Sequence, residues 1–354
     1  MSKQYRHAAH DQTRRRLMLS MGALAVLAGC GGNTLPRTSA VIDRHIAVGA
    51  GVTLHVRDWP AAQGDHTSVI VLLSGLGGNA HAFDSLAPAL ARRQRVLAIT
   101  RRGYGQSGKP LPSSDATYAP ATLVADLLAV LDTLKVQRIV LAGHSIAGNE
   151  VTLFAGRHPQ RVRGVVYLDT TFDYSQGAHW QGEQPPENPI FDEPGPELAD
   201  LASMNASIAY AKRIHKQWWP AMDAYWRDTL EVLADGRVRP NTPPAVAAAM
   251  AAGARSLSPD YRALRAPALV VVAQPATLAD MMPWITPQTD PRDVADARTW
   301  LRLYPQIHGQ DCRRIVAALP GSTLLTINNA AHSDFFIEYE TLVVQAIEAM
   351  RWEK

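Results

Sequence analysis

Hydrophobic and polar positions follow three rhythms along this chain. Residues 41–48 and 52–58 alternate with period two and are joined through Gly49 to Gly51, which predicts an opening antiparallel pair. Residues 68–73, 95–100, 138–141, 162–168 and 268–272 are short, mostly continuous apolar runs, the pattern of strands covered on both faces. Residues 322–327 read as a last strand. Helical spacing falls between the runs. Leu123, Leu127, Val130, Leu131 and Leu134 give 122–135 one apolar face with Asp126 and Asp132 elsewhere around the turn, 149–158 follows the run at 138–141, and 342–350 closes the chain. Strands alternating with helices predict an α/β fold with a mostly parallel sheet flanked by helices. The rhythm stops at Phe172 and resumes near Pro259. Within that gap 184–196 is rich in proline and acid, whereas 203–234 and 243–254 read as helices. The expectation is a core of 41–171 and 260–354, interrupted by a helical insertion at 172–259.

Candidate chemistry collects where the predicted strands end. Gly143-His144-Ser145-Ile146-Ala147-Gly148 joins the run at 138–141 to the helix at 149–158, so Ser145 sits on a strand-turn-helix elbow. Such a turn strains its central residue and needs small neighbours two positions to either side, a demand met by Gly143 and Ala147; Gly148 adds room for the helix. The segment resembles the Gly-x-Ser-x-Gly nucleophile elbow of serine hydrolases of the α/β-hydrolase superfamily, with Ala147 for the second Gly. Ser74-Gly75-Leu76-Gly77-Gly78-Asn79 is similar to the superfamily's oxyanion loop, with Ser74 in place of the usual His. The resemblance implies that the backbone N–H groups of Leu76 and Ile146 form the oxyanion hole. Arg101 to Gly108 resembles the Asp-x-Arg-Gly-x-Gly-x-Ser loop, with Thr100 where the Asp would stand; its glycines lack the spacing of a phosphate-binding turn and read as a rigid turn beside the site.

Asn328 to Phe336 resembles the loop that carries the superfamily's catalytic His, with Asn329 and Ala331 at its small positions, which makes His332 the general base. His144, beside the nucleophile, reads as structural and pointing away. Two acids compete for the third role. In many relatives the acid follows the strand that is 268–272 here, where the expected place is empty and Asp280 is the first acid. Asp169, at the tip of the strand after the nucleophile, is the position used by part of the superfamily, including many haloalkane dehalogenases. It is preferred because it leaves its strand directly. The insertion resembles the superfamily's helical cap, and Trp218, Trp219 and Trp226 are its candidates to line an apolar acyl or alcohol pocket.

These roles imply an esterase with an acyl-enzyme intermediate. A lactonase, thioesterase, amidase, cofactor-free haloperoxidase or carbon–carbon bond hydrolase would use the same triad, and Ser145 argues against the Asp nucleophile of dehalogenases and epoxide hydrolases. From other classes, an envelope lipoprotein that binds a ligand without catalysis would show a broken triad, and a signalling or assembly partner would show exposed aromatics on the insertion. No His, Cys or carboxylate spacing suggests a metal and no dinucleotide fingerprint is present, so no cofactor is expected.

Composition narrows the setting. With 47% hydrophobic and 19% charged residues among 354, the chain can fill a core. Cationic residues including Arg14, Arg15 and Arg16 precede an apolar stretch at 17–28, the layout of a signal peptide and too short to span a bilayer. Leu27-Ala28-Gly29-Cys30 resembles the lipobox of bacterial lipoproteins, which implies a signal peptide at 1–29, lipid on Cys30 and a linker at 30–40. Thr13 to Met18 resembles a twin-arginine signal, and Gly31 after the Cys fits the outer membrane. The formal charge of +3 falls to about −1 once the leader's +4 is removed, which leaves no electrostatic case for nucleic acid. Cys30 and Cys312 are the only cysteines, too few for a disulfide framework. The expected partners are a small ester-like substrate and, through Cys30, a membrane.

Overall fold

The computed structural model describes residues 40–63, 65–170, 173–175, 182–319 and 321–352. Its strands are β1 (Ile42–Gly49), β2 (Val52–Trp59), β3 (Asp65–Leu73), β4 (Gln94–Ile99), β5 (Ile139–His144), β6 (Val162–Leu168), β7 (Leu230–Val232), β8 (Val238–Pro240), β9 (Ala268–Gln274) and β10 (Thr323–Asn328). Its α-helices are α1 (Leu86–Leu90), α2 (Pro120–Thr133), α3 (Gly148–Arg157), α4 (Met204–Ile214), α5 (Ala221–Arg227), α6 (Pro244–Arg255), α7 (Leu278–Met281), α8 (Pro291–Ala318), α9 (Phe335–Glu338) and α10 (Glu340–Ala349). Cys30 and the proposed leader lie outside the described residues.

Eight strands form one sheet in the order β1-β2-β4-β3-β5-β6-β9-β10. The β1–β2 and β2–β4 pairs are antiparallel and the remaining pairs are parallel. Each parallel step needs a crossover, and the helices supply it on both faces. The continuous apolar runs follow from that double cover. Val69, Val71 and Leu73 of β3 pack with Leu127, Leu131, Val151 and Phe154 on one face, while Ile70 and Leu72 pack with Phe83, Leu86, Phe335 and Ile347 on the other. This is the mostly parallel sheet flanked by helices that the alternation predicts, in the α/β-hydrolase fold that the motif resemblance implies.

One expectation changes, and one element has no counterpart in the sequence analysis. Residues 203–234 are not all helix: α4 and α5 form, but Leu230–Val232 pairs antiparallel with Val238–Pro240 as a hairpin. An Asp235-Gly236 turn with Gly236 at φ +85° closes it, so local turn chemistry outweighs the helical spacing. The long α8 falls in a stretch for which the sequence analysis names no element: its buried positions Leu303, Ile307, His308, Cys312 and Ile315 recur at helical spacing, but polar residues dominate the stretch and Pro305 interrupts it. Among the described residues no helix is long and apolar enough to cross a membrane.

Candidate active site

Three backbone strains mark the carboxyl ends of the parallel strands. Ser145 after β5, Asp169 after β6 and Asn329 after β10 adopt φ of +54°, +48° and +58°, a region disfavoured for residues with a Cβ. At the elbow, a Cβ on Gly143 would lie 2.6 Å from Val151 Cγ2, and one on Gly148 would lie 2.0 Å from Thr170 Oγ1. Ala147 has φ −61°, so its methyl group costs no strain. The small residues around Ser145 therefore answer to space.

The strand ends bring Ser145, His332 and Asp169 together. His332 Nε2 lies 3.0 Å from Ser145 Oγ, and its Nδ1 lies 2.5 Å from Asp169 Oδ2. A neutral imidazole can satisfy both contacts at once, with Nδ1–H donating to the carboxylate and Nε2 accepting from the hydroxyl. Asp169 is fully buried; its Oδ1 accepts from Ala273 N–H at 2.9 Å and from His308 Nε2 at 3.0 Å. Burial alone would raise its pKa, but the hydrogen bonds from His308 and His332 outweigh it and hold the carboxyl well below its usual range.

The alternative acid is not brought to the imidazole. Asp280 Oδ2 caps the turn at Ala276 and Thr277, and its Oδ1 pairs with Lys216 at 2.8 Å. That carboxylate is committed to starting α7 and holding the insertion. His144 also differs from expectation: rather than pointing away, its Nε2 donates to the His332 carbonyl at 2.8 Å, and the two rings lie 4.8 Å apart. Burial, followed by the neighbouring His332 charge, pushes it down to about 3, which keeps it a neutral brace under the His332 loop.

Leu76 lines one cavity with Ser145, and Ile146 follows Ser145 directly in the chain. Arg101 donates to the Ser74 carbonyl and, at 3.0 Å, to that of Gly75. In a trans peptide the Leu76 N–H points opposite to the Gly75 carbonyl, hence away from the buried guanidinium. No backbone carbonyl of the described residues takes that amide. Ile146 lies in the first turn after the elbow, where N–H groups have no intrahelical partner. Arg101 is itself held by Glu150 at 2.5 Å.

Two cavities meet at Ser145 and His332. One, of about 400 Å³, is walled by Ile214, Met281, Trp284 and Tyr304; the other, of about 490 Å³, is walled by Leu76, Met222, Tyr225 and Trp226. Of the three expected tryptophans, Trp226 lines the second of these cavities, whereas Trp218 and Trp219 line neither. Trp218 donates instead to Asp223 at 2.7 Å and packs edge-on against His215. Sequence reasoning missed His308, Arg101 and Tyr174, the last of which lines the same cavity as Ser145 and His332. Arg101 sits in a recognisable loop and could have been flagged; His308 and Tyr174 carry no local signal. Among the described residues no group of three or more His, Cys, Asp or Glu is placed to hold a metal ion.

The sheet order and the clustered strand ends define a protein of the α/β-hydrolase fold family. The family model described as alpha/beta hydrolase fold matches residues 68–274, and the chain belongs to that family. It is 27% identical to a 2-(acetamidomethylene)succinate hydrolase of Mesorhizobium japonicum over 67% of this chain and 79% of that protein. A putative carbamate hydrolase of Caulobacter segnis is 31% identical over 34% of this chain and 43% of its own, and a 2-hydroxymuconate semialdehyde hydrolase of a Pseudomonas species is 31% identical over 38% and 45%. The chain thus spans less than half the length of several curated relatives it matches. A crystal structure of an E-2-(acetamidomethylene)succinate hydrolase superposes with a TM-score of 0.59 at 20% identity, covering 88% of this chain and all of that one, which speaks to the fold.

Proposed function

We propose that this hydrolase cleaves carboxylic esters through Ser145, His332 and Asp169. The carrying observation is the single imidazole that touches both partners, 3.0 Å from the hydroxyl and 2.5 Å from a buried carboxylate. A serine hydroxyl is a poor nucleophile at neutral pH, so His332 removes its proton as Oγ attacks the acyl carbon, while Asp169 fixes the tautomer and stabilises the imidazolium. The Leu76 and Ile146 N–H groups receive the developing oxyanion, a contribution of about 10²–10³ in rate per donor. His332 then protonates the leaving alcohol and activates the water that releases the acid. The insertion, acting as a cap, provides walls for both arms of the substrate.

The test is a panel of p-nitrophenyl esters from acetate to long chains, with a lactone, a thioester and an anilide alongside. Ester cleavage should fall about 10⁴-fold or more in Ser145→Ala and about 10⁴-fold in Asp169→Asn, and only a few-fold in Asp280→Asn. A wild type that cleaves no ester and is not labelled by a fluorophosphonate would remove the reading. Cleavage confined to one of the other bond types would move the assignment to that bond. We further propose that the chain is lipidated at Cys30 and tethered to the bacterial envelope; the support is the Leu27-Ala28-Gly29-Cys30 tetrad behind a cationic apolar leader. Detergent partitioning should follow Cys30 and be lost in Cys30→Ala.

A further inference from the structure

We infer that His308 is a positioning residue for the triad, a second histidine that locks Asp169 into alignment with His332; this rests on the hydrolytic reading above. Asp169 leaves β6 with φ +48°, and the terminal torsion of an aspartate is broad, so the backbone does not settle the rotation of the carboxylate. Three donors do. Oδ2 receives His332 Nδ1, whereas Oδ1 receives the Ala273 N–H at 2.9 Å and His308 Nε2 at 3.0 Å. Ala273 belongs to β9, the strand beside β6, and its amide orients Oδ1 from within the sheet. His308 reaches in from α8, the crossover between β9 and β10, and both it and Asp169 are wholly shielded from water.

A buried carboxylate with unfilled lone pairs would be costly or protonated, and a protonated Asp169 could not stabilise the His332 imidazolium. The Nε2–H of His308 fills one of those sites. It therefore keeps the acid ionised and stops it from turning away as His332 gains and loses its proton. A plain amide could supply such a donor, but an aromatic ring also packs: Tyr304 stacks on His308 with centroids 5.0 Å apart and planes 26° from parallel. Tyr304, one turn earlier on α8, walls the 400 Å³ cavity that opens at Ser145. The alignment of the acid is thus tied to the wall that contacts substrate. The titratable groups around this centre are His332, His308, His144, Tyr304, Tyr174, Asp311 and Cys312, and burial raises both tyrosines, Tyr174 to about 12.

The experiment compares full-length wild type with His308→Gln, His308→Asn and His308→Leu, scored per active site titrated with a fluorophosphonate. Gln carries an amide N–H to roughly the place of Nε2, Asn withdraws it, and Leu keeps volume without a donor. The expected result is kcat within about threefold of wild type for Gln and reduced about tenfold or more for Asn and Leu, with KM within twofold throughout. Losing a donor makes Asp169 more basic toward His332, so the acid limb of kcat/KM should move to higher pH in Asn and Leu and stay in place in Gln. If Leu does not fold, the Gln–Asn comparison decides alone. Equal behaviour of Gln and Asn, or an unmoved acid limb in Asn, overturns the inference. Absence of both wild-type activity and Ser145 labelling would instead sink the hydrolytic reading.

Discussion

Asp334 follows His332 by two residues and is 1% exposed, yet neither of its carboxylate oxygens finds a hydrogen-bond partner among the described residues. Burial, reinforced by the nearby Glu338 charge, lifts it to about 7. Its folded value thus lies above its unfolded one. Between the ordinary carboxylate range and about pH 7 the folded form binds more protons than the unfolded form, so this residue lowers stability as pH rises, with the full loss above that window. Asp334→Asn should therefore be more stable than wild type at pH 8 by on the order of 1–3 kcal/mol and nearly equal to it at pH 4, read from urea denaturation at each pH. A gain of the same size at both values would show that ionisation is not its cause. At this scale the sequence was legible where a residue's chemistry is coupled to a turn. Ser145, Asp169 and His332 each follow a strand, and strand ends can be located from apolar runs. Asp280 also follows one, and only its neighbours separate it from Asp169: it faces its own helix start and Lys216. His308 sits mid-helix, where nothing local distinguishes it from a packing residue.

The loop after β4 clamps two other elements. Arg101 and Glu150 have side chains 2% and 6% exposed, and their contact joins this loop to α3, while the same guanidinium holds two carbonyls of the Ser74–Gly75 turn. Burial raises Glu150 although Arg101 opposes it, the mark of an ion pair that is costly to break. Arg101→Met should destabilise by about 3–5 kcal/mol because a buried carboxylate loses its partner. In the double variant Arg101→Met with Glu150→Met most of that stability should return, since both charges are gone. The rate should not return, because the Gly75 carbonyl is no longer anchored and the Leu76 amide loses its aim; about a tenfold or greater deficit in kcat is expected, within what one oxyanion donor contributes. Recovery of both quantities in the double variant would mean that the clamp serves the fold alone. The central strands, β3, β5, β6 and β9, were readable because two-sided burial imposes unbroken apolar runs on them. The β7–β8 hairpin and α8 were not. One depends on an Asp-Gly turn inside a stretch with helical spacing, and the other is a long amphipathic helix with a proline in its middle.

Across the whole molecule, the segment between β6 and β9 touches the sheet domain at a few separated places. Val246 and Met250 of α6 bury against Tyr104, Tyr118 and Leu123, an apolar seam. Asn79, a few residues beyond the Ser74–Gly75 turn, donates to the Tyr225 carbonyl at 3.0 Å, and Thr242 donates to that of Gly103 at 2.8 Å. At the far side Lys216, on the chain after α4, reaches Asp280 at 2.8 Å and Glu338 at 3.0 Å, and donates to the Asn329 carbonyl. The lysine loses by desolvation but gains more from these two carboxylates, so it is held above its usual range. Its side chain is 24% exposed, and solvent-screened pairs of this kind contribute about 0–1 kcal/mol each. The tie is therefore weak as a source of stability and well placed as a fastening, because Lys216 lines the 400 Å³ cavity between the insertion and the His332 loop. Lys216→Met should lower stability by about 1–2 kcal/mol, since Asp280 keeps its backbone donors, while loosening that wall. On the proposed esterase reading, a short ester fills little of the cavity and should keep its kcat and KM within about twofold. A long-chain ester depends on the wall for contact area at about 25 cal/mol per Å², so its KM should rise several-fold with little change in kcat. The discriminating measurement is the ratio of kcat/KM for p-nitrophenyl decanoate to that for p-nitrophenyl acetate. A fall in this ratio makes Lys216 a fastening of the acyl wall, whereas an equal loss for both esters would place its effect at the triad through the His332 loop.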